Sequence, residues 1–181
     1  MRFFMNTHSG AMSALLAGLL MVLALTACNP SLNWREVHTI DSHFSVLLPA
    51  KPASHARPVN LGDLQVTMHM TAAEADEMTF AVATAVIENE AQRKVALALM
   101  QQAMVNNING KLTQQRTLRL KDGTEAIETQ ASGTTSRGRP ISLFARFAMK
   151  DQRVYQAVAI GPQDRLTGDI AETFLSSFAL D

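Results

Sequence analysis

This chain of 181 residues has one cysteine, one tryptophan and one tyrosine, and its 16 basic residues are balanced by 16 acidic ones. A lone thiol, Cys28, cannot close an intramolecular disulfide or supply the paired thiolates of a zinc site. A net charge of +0 is not the basic footprint of a nucleic-acid binder. The chain has no phosphate-cradling glycine motif and no G-x-S-x-G elbow, so nucleotide chemistry and the common serine-hydrolase arrangement lack a carrier. Long apolar runs are also missing. The uncharged segment Ala11 to Ala27 has its dense apolar core only from Ala14 to Leu25, short of the ~20 apolar residues a spanning helix needs.

That stretch reads instead as the h-region of a cleavable signal peptide, with Arg2 as a thin positive n-region. It ends in Leu25-Thr26-Ala27-Cys28, which resembles the lipobox of bacterial lipoproteins. The resemblance implies a diacylglyceryl group on the Cys28 sulfur, cleavage before Cys28, and attachment to a membrane by acyl chains. Stable anchoring takes more than one chain, at roughly 0.8 kcal/mol per buried methylene. Asn29 stands where an aspartate would signal inner-membrane retention, so the periplasmic side of the outer membrane is the expected address. The predicted organisation is a signal peptide over 1–27, a tether over 28–33 and one domain over 34–181.

Within that domain, Phe44, Val46 and Leu48 alternate against polar neighbours, as do Leu64, Val66, Met68 and Met70, and both segments read as strands. Pro49, Pro52 and Pro58 mark the stretch between them as a loop or an irregular edge. Glu74 to Glu77 reads as an acidic turn leading into a strand from Met78 to Ile87. A helix is predicted from Glu90 to Asn109, with Asn89 as N-cap and Gly110 accepting the left-handed conformation at its end. Val95, Leu99 and Ala103 form one apolar row on it, beside Leu97, Met100, Met104 and Ile108, while Gln101, Gln102, Asn106 and Asn107 form a solvated face. Lys121-Asp122-Gly123 turns a hairpin, Asp151-Gln152 another, and a last helix is expected from Asp164 to Ser177. Alternation with apolar or small residues on both faces, as at Phe80 to Ile87, points to a sheet covered on both sides. The order of elements gives an α+β fold: an antiparallel β-sheet sandwiched by α-helices (α/β/α).

Three motifs add a resemblance. Phe44-Ser45-Val46-Leu47-Leu48-Pro49-Ala50-Lys51-Pro52, Val154-Tyr155 to Gly161-Pro162, and Ala171-Glu172-Thr173-Phe174-Leu175-Ser176-Ser177-Phe178 are similar to those of the PsbP-like and DcrB-like proteins. The resemblance spans about Trp34 to Leu180. It implies the same sandwich and an accessory, assembly or binding role, with no shared catalytic set and no cofactor.

The candidate sites are few. His38, His43, His55 and His69 are scattered over separate segments, although His43 and His69 have a chance of meeting across a sheet, and no metal ligation is expected. Ser132 and Ser136 have no local base, and Glu74, Asp76 and Glu77 read as a solvated turn rather than a carboxylate pair. Arg137 and Arg139, in the small polar loop Ser132 to Pro140, form a candidate partner-binding tip suited to an acidic partner or a phosphate. The expected function is a lipid-anchored, non-enzymatic binding or accessory protein of the cell envelope, whose partner is an envelope protein or complex. A carrier of lipid or a small hydrophobic ligand is the alternative, motivated by the Met- and Leu-rich helix face, and an envelope hydrolase ranks last. The six methionines beyond the leader are expected mainly to fill the core.

Overall fold

A computed structural model describes residues 32–181; the expected signal peptide and Cys28 lie outside the described residues. Residues 32–181 form one compact unit. Its elements are β1 (Arg35–Thr39), β2 (Phe44–Leu48), β3 (Ala53–Leu61), β4 (Leu64–Ala75), β5 (Met78–Val86), α1 (Glu90–Asn107), β6 (Lys111–Arg119), β7 (Glu125–Thr134), β8 (Pro140–Lys150), β9 (Arg153–Pro162), α2 (Gly168–Ser177) and β10 (Ala179–Leu180). Seven strands make an antiparallel sheet in the order β3-β4-β5-β9-β8-β7-β6, and β1, β2 and β10 make a small second sheet.

The alternating pattern of β5 shows how the layers are built, because successive side chains of a strand point to opposite faces. Ala81, Ala83 and Ala85 face α1, where Leu97, Met100 and Ile108 pack with Leu143, Ala145, Phe147 and Val158. Phe80 and Val82 face the other way, into a second core formed with Phe44, Val46, Leu48, Phe174, Phe178 and Leu180. Small residues on the α1 side let the helix approach closely, and large ones on the other side fill the space beneath the small sheet. Edge-to-face contacts of Phe80 with Trp34 and Phe174, at 5.6 and 5.4 Å, tie that second layer together. Each fully buried Phe contributes roughly 1.5–3 kcal/mol of transfer free energy.

The α+β architecture is the expected one, with a difference in the covering layers. One face of the large sheet carries α1, while the other carries α2 together with the three-stranded sheet. The last two-residue strand, β10, pairs with β2 at Ser45 and Phe44 and is too short to leave a periodic signal. Of the proline-broken stretch, Pro49 and Pro52 lie in the loop before β3, as expected, whereas Pro58 lies within β3, a regular edge strand, opposite Thr67. An edge strand has one side without ladder partners, and there a missing N–H costs least.

Both helices differ from expectation in detail. Asn89 caps α1 by accepting from the Gln92 N–H at 3.0 Å, as expected. At the other end Asn109, not Gly110, takes the left-handed conformation (φ 46). Gly110 N–H donates to Val105 O and Asn109 N–H to Asn106 O, which is a Schellman closure. Gly110 is required for a different reason: a Cβ there would lie 2.6 Å from the Ile108 side chain and 2.8 Å from Ser132 O. The buried row of α1 is the Leu97, Met100 and Ile108 row; Val95 and Ala103 are exposed and Leu99 is half-buried. The helix therefore lies on the sheet along a narrower stripe than its sequence offers. The last helix begins at Gly168, capped by Thr167, and the residues from Asp164 form a turn.

Candidate functional site

The loop tip singled out in the sequence sits at one end of the large sheet, where three connections converge. The β4–β5 hairpin closes over two residues, Asp76 and Glu77, both left-handed (φ 51 and 62). That is the conformation a two-residue hairpin turn demands, at some cost for residues carrying a Cβ. The turn is held from outside. Arg139 Nη1 lies 3.0 Å from Glu77 Oε2, and Arg165, from the segment before α2, reaches Glu77 Oε1 at 3.3 Å and also pairs with Asp76. Glu77 thus bridges two guanidinium groups. The acidic turn is exposed, as expected, and its Asp76 and Glu77 are in addition charge-paired, a clamp joining the β4–β5, β7–β8 and β9–α2 connections.

This arrangement separates the two arginines of the tip. Arg139 is committed to Glu77, whereas Arg137 is exposed and makes no ion pair among the described residues. The loop has its own framework: Thr135 Oγ1 accepts from the Arg139 N–H at 3.1 Å, Thr135 N–H donates to Arg139 O, and Gly138 N–H donates to Thr135 O. Arg137 is thereby presented at the tip of an ordered turn, free to contact an anion.

The histidines stay apart. His38 is exposed on β1, 3.3 Å from Glu36, and His55 lies on β3. His43 lies in the turn before β2 and His69 on β4, in different sheets, so the pair does not meet across one sheet. Among the described residues no three His, Cys, Asp or Glu side chains come together as a metal-holding group. No described helix is long and apolar enough to cross a membrane.

The largest polar construction was invisible to sequence reasoning. Glu128 on β7 is buried and accepts from Arg116 Nε at 2.7 Å and from Arg146 Nε at 2.8 Å. Arg146, itself buried, donates through Nη1 to Leu175 O at 2.6 Å, in the last turn of α2, and lies 3.5 Å from Glu172. Register explains the cluster: Arg116, Glu128 and Arg146 are directly opposite one another across β6, β7 and β8. The signal available in sequence was an arginine at a position of β8 that alternation assigns to a covered face. Because α2 ends over it, the guanidinium neutralises a buried carboxylate and satisfies a helix C-terminal carbonyl together. Gln101 on α1 is also not a solvated residue, since its amide donates to Thr129 Oγ1 at 2.9 Å and to Gln115 Oε1 at 3.1 Å.

Two features bear on ligand binding. Leu97, Met100 and Ile108, of the Met- and Leu-rich helix face that motivates the carrier alternative, are packed into the core. An open groove of about 390 Å³ lies instead beside the first half of α1, between Leu61, Leu64, Val95 and Leu99. Tyr155, at the other end of the sheet from the clamp, is buried, and that desolvation pushes its phenol above the usual range.

No family model matches the chain, and no curated relative does. Among solved structures, cyanobacterial PsbP (CyanoP) from Synechocystis sp. PCC 6803 superposes with a TM-score of 0.53 at 12% identity, over 87% of this chain and 99% of its own. A protein of Bacteroides thetaiotaomicron VPI-5482 gives a TM-score of 0.48 at 6% identity, over 81% of this chain and 48% of its own. The likeness to CyanoP shows a PsbP-like fold, in agreement with the fold that the sequence motifs implied.

Proposed function

We propose that this chain is a lipid-anchored accessory protein of the bacterial cell envelope, held by acyl chains on Cys28 and acting by binding rather than catalysis. One observation carries the reading: Leu25-Thr26-Ala27-Cys28, which resembles a lipobox, ends four positions before Leu32, where the compact unit begins. The PsbP-like fold supports it, since the resemblance of the Phe44 to Pro52 and Ala171 to Phe178 motifs implies an accessory or assembly role. Asn29 favours the periplasmic side of the outer membrane, and the partner is an envelope protein or complex. The direct test is metabolic labelling with a palmitate analogue, followed by crosslinking in intact envelopes. Label that disappears in Cys28→Ala, together with a reproducible crosslinked partner, supports the reading. Equal labelling and membrane attachment of Cys28→Ala defeats it.

The groove between Leu61, Leu64, Val95 and Leu99 favours a second reading, a carrier of a small hydrophobic ligand. Native mass spectrometry after exposure to envelope lipids would reveal a bound lipid, and a consistently empty protein rejects this alternative.

A further inference from the structure

In an all-antiparallel sheet the connections alternate between two ends, and here the ends differ in charge. The chain enters at the end that carries the clamp: Asn33 N–H donates to Pro49 O at 2.8 Å, and the Trp34 ring touches Phe80, two residues into β5. At this end lie the β2–β3, β4–β5, α1–β6, β7–β8 and β9–α2 connections. They contain four cations, Lys51, Arg137, Arg139 and Arg165, against three anions, Asp76, Glu77 and Asp164. The far end holds the remaining sheet turns, the β5–α1 link and the residue after β10. It contains six anions, Asp41, Asp63, Glu88, Asp122, Asp151 and Asp181, against one cation, Lys121.

We infer that the protein stands on its membrane with the entry end down, Arg137 contacting anionic phospholipid headgroups and the acidic end projecting away. This rests on the proposed anchoring at Cys28. Three residues lie between Cys28 and Leu32, and even fully extended the four steps from one to the other reach only about 14 Å. A span that short brings the entry end close to any bilayer holding the acyl chains. Strands of about ten residues put the far end roughly 33 Å further out, several Debye lengths at physiological ionic strength. The surface field therefore acts on the two ends unequally. Glu77 and Asp76 together offset the charges of Arg139 and Arg165 and leave Arg137 as the exposed guanidinium at the tip, suited to a phosphate oxygen.

The single native cysteine makes the test clean, because acylated Cys28 leaves no competing thiol. The full-length lipidated chain, carrying either Ser136→Cys or Gln152→Cys, is labelled with a fluorophore. It is then reconstituted into vesicles of phosphatidylethanolamine with phosphatidylglycerol that contain a headgroup quencher. Strong quenching at position 136 and little at 152 is expected. A site 152 quenched as much as site 136, in protein that floats with the vesicles, overturns the orientation and leaves the anchor standing. Protein that fails to float overturns both. Charge reversal, Arg137→Glu, should lower quenching at 136 in phosphatidylglycerol vesicles but not in phosphatidylcholine vesicles. Removing one attraction of about five-fold and adding a repulsion of similar size gives a change of up to about 25-fold in orientational preference. Unchanged quenching in both lipids overturns the headgroup contact.

Discussion

Replacing Arg146 by methionine tests the buried polar network most directly. The substitution keeps an unbranched side chain among its neighbours but removes three interactions: the 2.8 Å contact with Glu128, the 2.6 Å bond to Leu175 O and the longer contact with Glu172. Glu128, 5% exposed, then keeps only Arg116, whose own side chain is 54% exposed. Breaking a buried ion pair from one side costs about 3–5 kcal/mol, because a charge remains without its compensation. The surviving contact with Arg116 places the loss near the lower figure, about 3 kcal/mol. For a domain of this size that is a fall of roughly 6–12 °C in Tm. Urea unfolding followed by circular dichroism should show a lower midpoint at unchanged slope. Glu128→Leu combined with Arg146→Met should recover most of the loss, since replacing both partners by apolar groups is often close to neutral. A single variant losing less than about 1 kcal/mol, or a double variant no more stable than the single, would refute the reasoning.

Other expectations follow from local geometry. Gly133→Ala places a Cβ 2.2 Å from Ile108 O, at the point where Thr134 N–H donates to that carbonyl, so α1 must shift away from β7. A loss of about 1–3 kcal/mol in thermal unfolding is expected, and an unchanged Tm would argue against the close approach. Asn89→Ala removes the acceptor for Gln92 N–H and should cost about 1 kcal/mol; Asn89→Asp should not, by urea titration. Burial acts to raise the Asp122 carboxyl, but hydrogen bonds from Thr124 and Lys150 outweigh it and hold the group below its ordinary value. A carboxyl depressed in the folded state adds stability above its unfolded pKa and loses it as the pH falls through the folded one. Asp122→Asn should therefore cost at most about 1 kcal/mol at pH 7, with the difference from the parent vanishing well below pH 4 in acid-unfolding curves.

The strands were legible where burial is one-sided or alternates cleanly, as at Phe44-Val46-Leu48 and through β5. The two hairpins at Lys121-Asp122-Gly123 and Asp151-Gln152 were legible from turn chemistry. Pairing over long sequence distances was not. The β5–β9 register joins Thr79 to Ile160, and nothing local to either strand encodes it. That register brings Arg139 and Arg165 to the Asp76-Glu77 turn, and its neighbours align Arg116, Glu128 and Arg146. Asp76 and Glu77, in a turn that reads as solvated, are thus paired with partners from remote segments. Arg137 is exposed and has no such partner among the described residues. Helix α1 was legible in extent but not in rotation, since Val95 and Leu97 are equally apolar and only the sheet beneath decides which is covered.

The small sheet has a consequence for how the molecule comes into being. Strand β2 is flanked by the first strand on one side and the last on the other, so Phe44 and Ser45 wait for Leu180 and Ala179. Until Ala179 and Leu180 pair with β2 the seam stays open, and Phe178 and Leu180 are missing from the lower core. Pairing between segments this far apart in the sequence is non-local, and such pairing folds slowly. The small sheet is thus a late seam: β2 gains its second neighbour only when the segment after α2 is in place.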